Sequence, residues 1–234
     1  MRRAIFTVLT VLLGAGFVVG VGTYFSWASP ESSLPVQEAQ VVGTETVNGK
    51  SMPHAVLEIS SWADSMASVG DQGRCHGPDG GEHPDWVTFC PTTDFAVPAN
   101  ALVTIRVSQY DGGEVITNPY FAKVHGTVDG TAKLTMAGTN ESATFTAIPP
   151  DTVGHTFTIH GVTSSSQPTL FVSVPLMASA FENEVPNVIE FSFLTGDPGT
   201  YYWNCEFPCG DGTYANFGGP MSQQGYMAGR FEVV

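Results

Sequence analysis

The sequence predicts an all-β protein behind one N-terminal apolar helix, and three observations predict it. Gly 26 and Pro 16 divide the 234 residues into many short Val-, Thr- and Phe-rich runs, the pattern of strands separated by turns. Val188–Phe193 alternates strictly, with Val188, Glu190 and Ser192 on one side and Ile189, Phe191 and Phe193 on the other. Arg2 and Arg3 precede an uncharged, mostly apolar run from Ala4 to Ala28, long enough to cross a hydrocarbon core of about 30 Å as a helix. A hydrophobic content of 42% allows one substantial domain plus attachments. Eight Lys+Arg against 22 Asp+Glu give a net charge of −14, which disfavours nucleic acid and anionic lipid as partners and favours basic proteins.

Residues 1–28 read as a membrane anchor or a signal. A cleavable signal has an apolar core of about 7–15 residues, shorter than this run, although Ser26-Trp-Ala28 satisfies a small-x-small cleavage rule. The anchor is the favoured reading, with the arginines cytoplasmic and the acidic bulk outside, in a periplasm or on the outer face of the cell membrane. Residues 29–50 are rich in Pro, Glu, Gln, Ser and Gly without periodicity and read as a linker. In residues 51–93, Pro53 and the apolar positions Val56, Ile59, Trp62, Ala63 and Met66 recur at helical spacing, which predicts a short amphipathic helix. A loop follows with Cys75, His76, His83 and Cys90. Its C-x14-C spacing fits no compact metal site, and an oxidising compartment favours a Cys75–Cys90 disulfide, worth about 3 kcal/mol by chain entropy.

Residues 94–234 form the main domain. Two strands are expected within Asp94–Gln109, ending at an Asp111-Gly-Gly113 turn. Asn118–Pro150 reads as an insertion whose alternating stretches Lys123–Val128, Lys133–Met136 and Ala143–Ala147 form hairpins over a sheet edge, with His125 a hairpin histidine. In the next strand His155 and His160 are five residues apart and face opposite sides of the sheet. Leu170–Val174 and Val188–Phe193 also read as strands.

The chain closes on Gly196–Val234, where an aromatic strand runs into Cys205 and Cys209, a Gly-rich loop, Met227 and a last strand, Arg230–Val234. Two cysteines separated by three residues bring both sulfurs to one point, and soft sulfur ligands suit copper better than magnesium or calcium. No hydrolytic frame competes: a G-x-S-x-G pattern is absent, and Ser164–Ser166 lies in a loop without an acid–base partner.

This ending resembles the cupredoxin family, and within it the dinuclear copper domain of cytochrome c oxidase subunit II. Cys205-Glu-Phe-Pro-Cys209-Gly210-Asp211-Gly212 and Met227-Ala-Gly229 are similar to the two ends of that family's C-x3-C-G-x-G-H-x-x-M loop, and Asp197–Trp203 looks like the strand that enters it. Asp151–Ile159 is similar to the upstream H-[ST]-F-x-[VI] strand, with His155 at the ligand position, and Phe95–Val107 to the opening strand. The resemblance covers roughly Asp94–Val234 and implies a cupredoxin-like Greek-key β-sandwich. It implies copper, as one ion or a modified dinuclear pair, on His155, Cys205, Cys209 and Met227, with Gln224, Met221 and His160 as weaker candidates. The family's second histidine is missing: Thr213 and Gln224 stand at the two places for it, and no histidine follows His160.

Three functions follow from the resemblance. The first is a membrane-anchored electron-transfer protein similar to oxidase subunit II, docking a basic partner such as a cytochrome c or other oxidase subunits, and at most the electron-entry component of an oxidoreductase complex. The second is a copper carrier, favoured by a sulfur-rich site leaning to Cu(I). The third is a metal-free interaction module with a Cys205–Cys209 disulfide.

Overall fold

The computed structural model describes residues 2–28, 34–63, 75, 77, 83, 86–112, 118–139, 141–161, 169–181, 184–207 and 219–234. They fall into two units, Met1–Ser33 and Leu34–Val234.

The first unit is helix α1, Arg2–Ala28. Its stretch Phe6–Tyr24 is long and apolar enough to cross a membrane, spanning about 28 Å at 1.5 Å per residue. The hydroxyls of Thr10 and Thr23 donate to the carbonyls of Phe6 and Val19, each at 2.9 Å, so these polar groups are satisfied within the helix.

In the second unit the strands are β1 (Val36–Glu38), β2 (Gln40–Val47), β3 (Lys50–Ala63), β4 (Val87–Cys90), β5 (Asp94–Val97), β6 (Leu102–Gln109), β7 (Ala132–Thr135), β8 (Ser142–Phe145), β9 (Val153–His160), β10 (Phe171–Met177), β11 (Asn187–Leu194), β12 (Gly199–Asn204) and β13 (Ala228–Val233). One sheet runs β1-β5-β13-β12-β9-β10, the other β2-β3-β6-β11-β7-β8 with β4 paired to the end of β3. Sequence neighbours repeatedly switch sheet, so pairs form across long separations, antiparallel for β6–β11 and β9–β12 and parallel for β3–β6 and β5–β13. This is the all-β, two-sheet sandwich expected from the sequence.

Between the sheets lies an aromatic core centred on Trp203. Its indole stacks on Phe157 at 4.4 Å, meets Phe89 edge-on at 4.9 Å, and donates its N–H to the Thr93 carbonyl at 2.7 Å. Gly229 on β13 lies directly against that same Thr93: a Cβ there would stand 1.8 Å from the carbonyl oxygen, so only glycine lets β13 and β5 close. Asp94, with its side chain 1% exposed, locks the seam by accepting from Arg230 N at 3.0 Å, Arg230 Nε at 3.2 Å and Gln224 Nε2 at 2.8 Å.

The structure corrects two expectations before residue 64. The predicted helix over Pro53–Ala63 is the long strand β3, and the Val36–Lys50 part of the predicted linker is strand β1, strand β2 and a tight turn. In β3 the inward residues are Ala55, Leu57 and Ile59, a period of two, and the helical spacing of Val56, Ile59 and Trp62 is coincidental. β2 is exposed on nearly its whole length and shows no apolar alternation. Its pairing with β3 rests on the backbone ladder and on the Asn48-Gly49 turn, both residues having positive φ (52° and 77°). Met66 and the rest of that predicted helix lie outside the described residues.

Other expectations hold in detail. Cys75 and Cys90 form a disulfide. Asp94–Gln109 contains two strands, and β11 buries Ile189, Phe191 and Phe193. The insertion contributes a hairpin, β7–β8, at the edge of the second sheet, whereas Lys123–Val128 makes only single bridges, Lys123 to Ala147 and His125 to Ser173. Asn140, within the sequence Asn140-Glu-Ser142, lies outside the described residues.

Candidate metal centre

Three adjacent strands carry the described candidate ligands His155, Cys205 and Met227 near or just beyond their ends. On β9 the inward residues are Val153, His155, Phe157 and Ile159; on β12 Tyr201 and Trp203, continued by Cys205; on β13 Gly229, Phe231 and Val233, preceded by Met227. The register pairs Asn204 with both Thr158 and Ala228, so β12 carries Cys205 between its neighbours. Cys205 N–H donates to the Met227 carbonyl at 3.0 Å, and Thr156 N–H donates to Cys205 Sγ at 3.4 Å. Thr156 also accepts Glu206 N–H on its hydroxyl at 2.8 Å, which grips the chain on both sides of the thiol. His155, Cys205 and Met227 are all completely buried.

Cys205 is unbridged, with Sγ 3.5 Å from the Phe207 carbonyl oxygen. His155 Nε2–H donates to Asp111 Oδ2 at 2.7 Å. Burial alone would lower the His155 pKa, but hydrogen bonds and charge attraction to Asp111 and Cys205 outweigh it, and the imidazole is pushed up to about 10. The sequence reading took Asp111 for a turn residue in Asp111-Gly-Gly113 and missed this contact. A side chain 44 residues away in the chain leaves no local signal.

The remaining candidates separate from this group. His160 faces the other side of β9 as expected, with its side chain 40% exposed, and donates through Nε2 to Asn204 Oδ1 at 2.7 Å. With Met221 and Gln224 it lines an outer cleft of about 380 Å³, also bounded by Tyr202, Asn204 and Arg230. Gln224 is turned to Asp94, which takes its amide N–H, so the oxygen-ligand role expected of it is not supported by its orientation. His125 stacks on Tyr120 at 4.6 Å and bonds its carbonyl at 3.2 Å. Cys209, Gly210, Gly212 and Thr213 lie outside the described residues.

Among the described residues no three His, Cys, Asp or Glu side chains form a group able to hold a metal ion. The His155 imidazole and the Cys205 sulfur meet, and Met227, buried, is joined to Cys205 through its backbone carbonyl; an imidazole, a thiol and a thioether together would suit a soft ion such as copper and no hard cation. The amide N–H on the cysteine sulfur adds to the fit, because such a bond stabilises charge on sulfur and tunes a copper–thiolate centre.

No family model and no curated protein sequence matches the chain. Among solved structures it is similar to auracyanin B, at 13% identity and TM-score 0.35 over 82% of this chain and 96% of that one. It is also similar to rusticyanin from Thiobacillus ferrooxidans, at 12% identity and TM-score 0.33 over 77% of this chain and 82% of that one. A third is the blue copper oxidase of Nitrosomonas europaea, at 12% identity and TM-score 0.30 over 77% of this chain and 43% of that one. At these scores the likeness does not extend to ligands or activity.

Proposed function

We propose that this chain is a membrane-anchored, extracytoplasmic cupredoxin-like protein that binds copper and passes single electrons. The observation that carries the reading is the buried His155–Cys205 contact, with the Thr156 amide on the cysteine sulfur and buried Met227 hydrogen-bonded to Cys205 through its carbonyl. Cys209 would join them from the loop that follows Cys205, as the likeness to oxidase subunit II implies. In such a site the thiolate shares charge with the ion, the imidazole fixes the ligand plane and the thioether tunes the potential. The protein's own work is to hold these donors dry and fixed, so that little rearrangement accompanies electron transfer. Helix α1 would keep the domain at the membrane, and the net charge of −14 would steer a basic partner such as a cytochrome c.

A copper carrier is the second reading, favoured by the sulfur-rich, fully buried donor set, which leans toward Cu(I). Reconstitution of the full chain in detergent separates the readings. An electron-transfer centre takes up copper, shows intense thiolate charge-transfer absorption and an EPR signal, and cycles reversibly. A carrier holds Cu(I), stays colourless and EPR-silent, and gives the ion up to a competing thiol. Absence of copper uptake together with no titratable thiols at Cys205 and Cys209 would leave the metal-free module.

A further inference from the structure

We propose that Asp111 is the positioning residue for His155, holding the ring by Nε2 so that the Nδ1 edge is presented to Cys205 and Met227. Its functional meaning rests on the copper reading above. Asp111 stands just past the end of β6 and presents Oδ2 to His155 Nε2 at 2.7 Å, with the two side chains 9% and 1% exposed. The residue is itself held by two donors on its main chain. Its carbonyl accepts from Gln109 Nε2 at 2.9 Å and from Ser179 N at 3.0 Å. Gln109 Oε1 in turn accepts the hydroxyl of Ser61 on β3, and Ser61 and Gln109 are fully buried.

A buried chain of this kind, Ser61–Gln109–Asp111–His155, is costly to desolvate and persists only when each member has its partner. A carboxylate that merely shaped a turn would be expected at the surface. Here its backbone is held by Gln109 and Ser179, and the carboxylate ends on a buried imidazole. A neutral imidazole has one N–H and one lone pair, so a proton held at Nε2 by a carboxylate leaves the lone pair on Nδ1. The same carboxylate makes that nitrogen a stronger donor, as partners of metal-bound histidines do.

The test compares the full chain with Asp111→Asn and Asp111→Ala in detergent, each titrated with Cu(I) and Cu(II) against chelators of known affinity. The Cu(I)-loaded proteins, labelled with 15N-histidine, are examined by NMR. The expected result is Nδ1 as the metal-bound nitrogen of His155 and Nε2 protonated. Cu(II) affinity should fall about 10- to 100-fold in Asp111→Ala, more than Cu(I) affinity, with Asp111→Asn between. Each tenfold difference between the two losses raises the reduction potential by about 59 mV, a readout that a purely structural role would not move. Affinities for both ions within twofold of wild type, or Nε2 as the bound nitrogen, would overturn the proposal. If Asp111→Ala does not fold, Asp111→Asn, which keeps an acceptor oxygen, carries the comparison. A wild-type chain that takes up no Cu(I) would sink the copper reading instead. The proposal is then decided in the metal-free protein: a far-downfield, slowly exchanging Nε2 proton on His155 that is lost in Asp111→Asn supports it, and absence of that proton in wild type overturns it.

Discussion

Raising the pH on the copper-free chain should unfasten the interior at His155. The imidazole is pushed up to about 10 from its ordinary 6.5 because Asp111 and Cys205 favour the charged ring more than burial penalises it. A group that holds its proton more tightly folded than unfolded stabilises the fold fully below its unfolded pKa. That contribution is lost as pH climbs through the folded value, so the window here runs from 6.5 to about 10. At about 1.4 kcal/mol per unit the loss is on the order of 5 kcal/mol, a large share of the roughly 5–15 kcal/mol that holds a domain folded. The assay is urea unfolding of the full chain in steps across that window, followed by tryptophan fluorescence, for wild type and His155→Gln. Subtracting the two profiles removes tyrosines and lysines that titrate in the same range. Wild type should lose stability steeply while the variant stays nearly level. Parallel profiles would refute the reasoning, since they would mean that His155 is neutral in the fold or that Asp111 does not face it.

Cys205→Ser should abolish copper uptake in a chelator competition, whereas Cys75→Ser should leave uptake intact and cost about 2–5 kcal/mol in urea unfolding by opening the disulfide; equal copper loss in the two variants would reverse the roles assigned here. Gln224→His, at one of the two positions where the likeness to oxidase subunit II would call for a histidine, should bring no gain in copper affinity, because position 224 faces Asp94. The same variant should lower the thermal midpoint by depriving a buried carboxylate of a donor. Gly229→Ala should destabilise by about 1–3 kcal/mol or more, because its methyl would overlap the Thr93 carbonyl; a change under about 0.5 kcal/mol would show that β5 and β13 are not so closely joined.

How much of this was legible beforehand depended on whether the deciding contact was local. The β11 alternation, the strand around His155 and the opposite facing of His155 and His160 are properties of consecutive residues, and the structure repeats them. The Cys75–Cys90 bridge followed from compartment and spacing. β2 was invisible because a strand exposed on both faces carries no apolar period, and β3 was misread because every third residue happened to be apolar. Tertiary pairing, with β6 on one side and β2 and β4 on the other, decided that segment. In the candidate site, Cys205 and Met227 were marked by motif, while Asp111 and the turning of Gln224 to Asp94 were settled by residues 44 and 130 positions away.

Asn204 pairs with Ala228, and Cys205 N–H meets the Met227 carbonyl, so β12 and β13 stay fastened to each other up to the two candidate donors. Met227 N–H is in turn taken by the Pro220 carbonyl at 3.0 Å, and Gln224 is tied to Asp94. The last residues before β13 are therefore moorings of the thioether. A segment exchanged here would leave Met227 in place only if it kept Pro220 and Gln224.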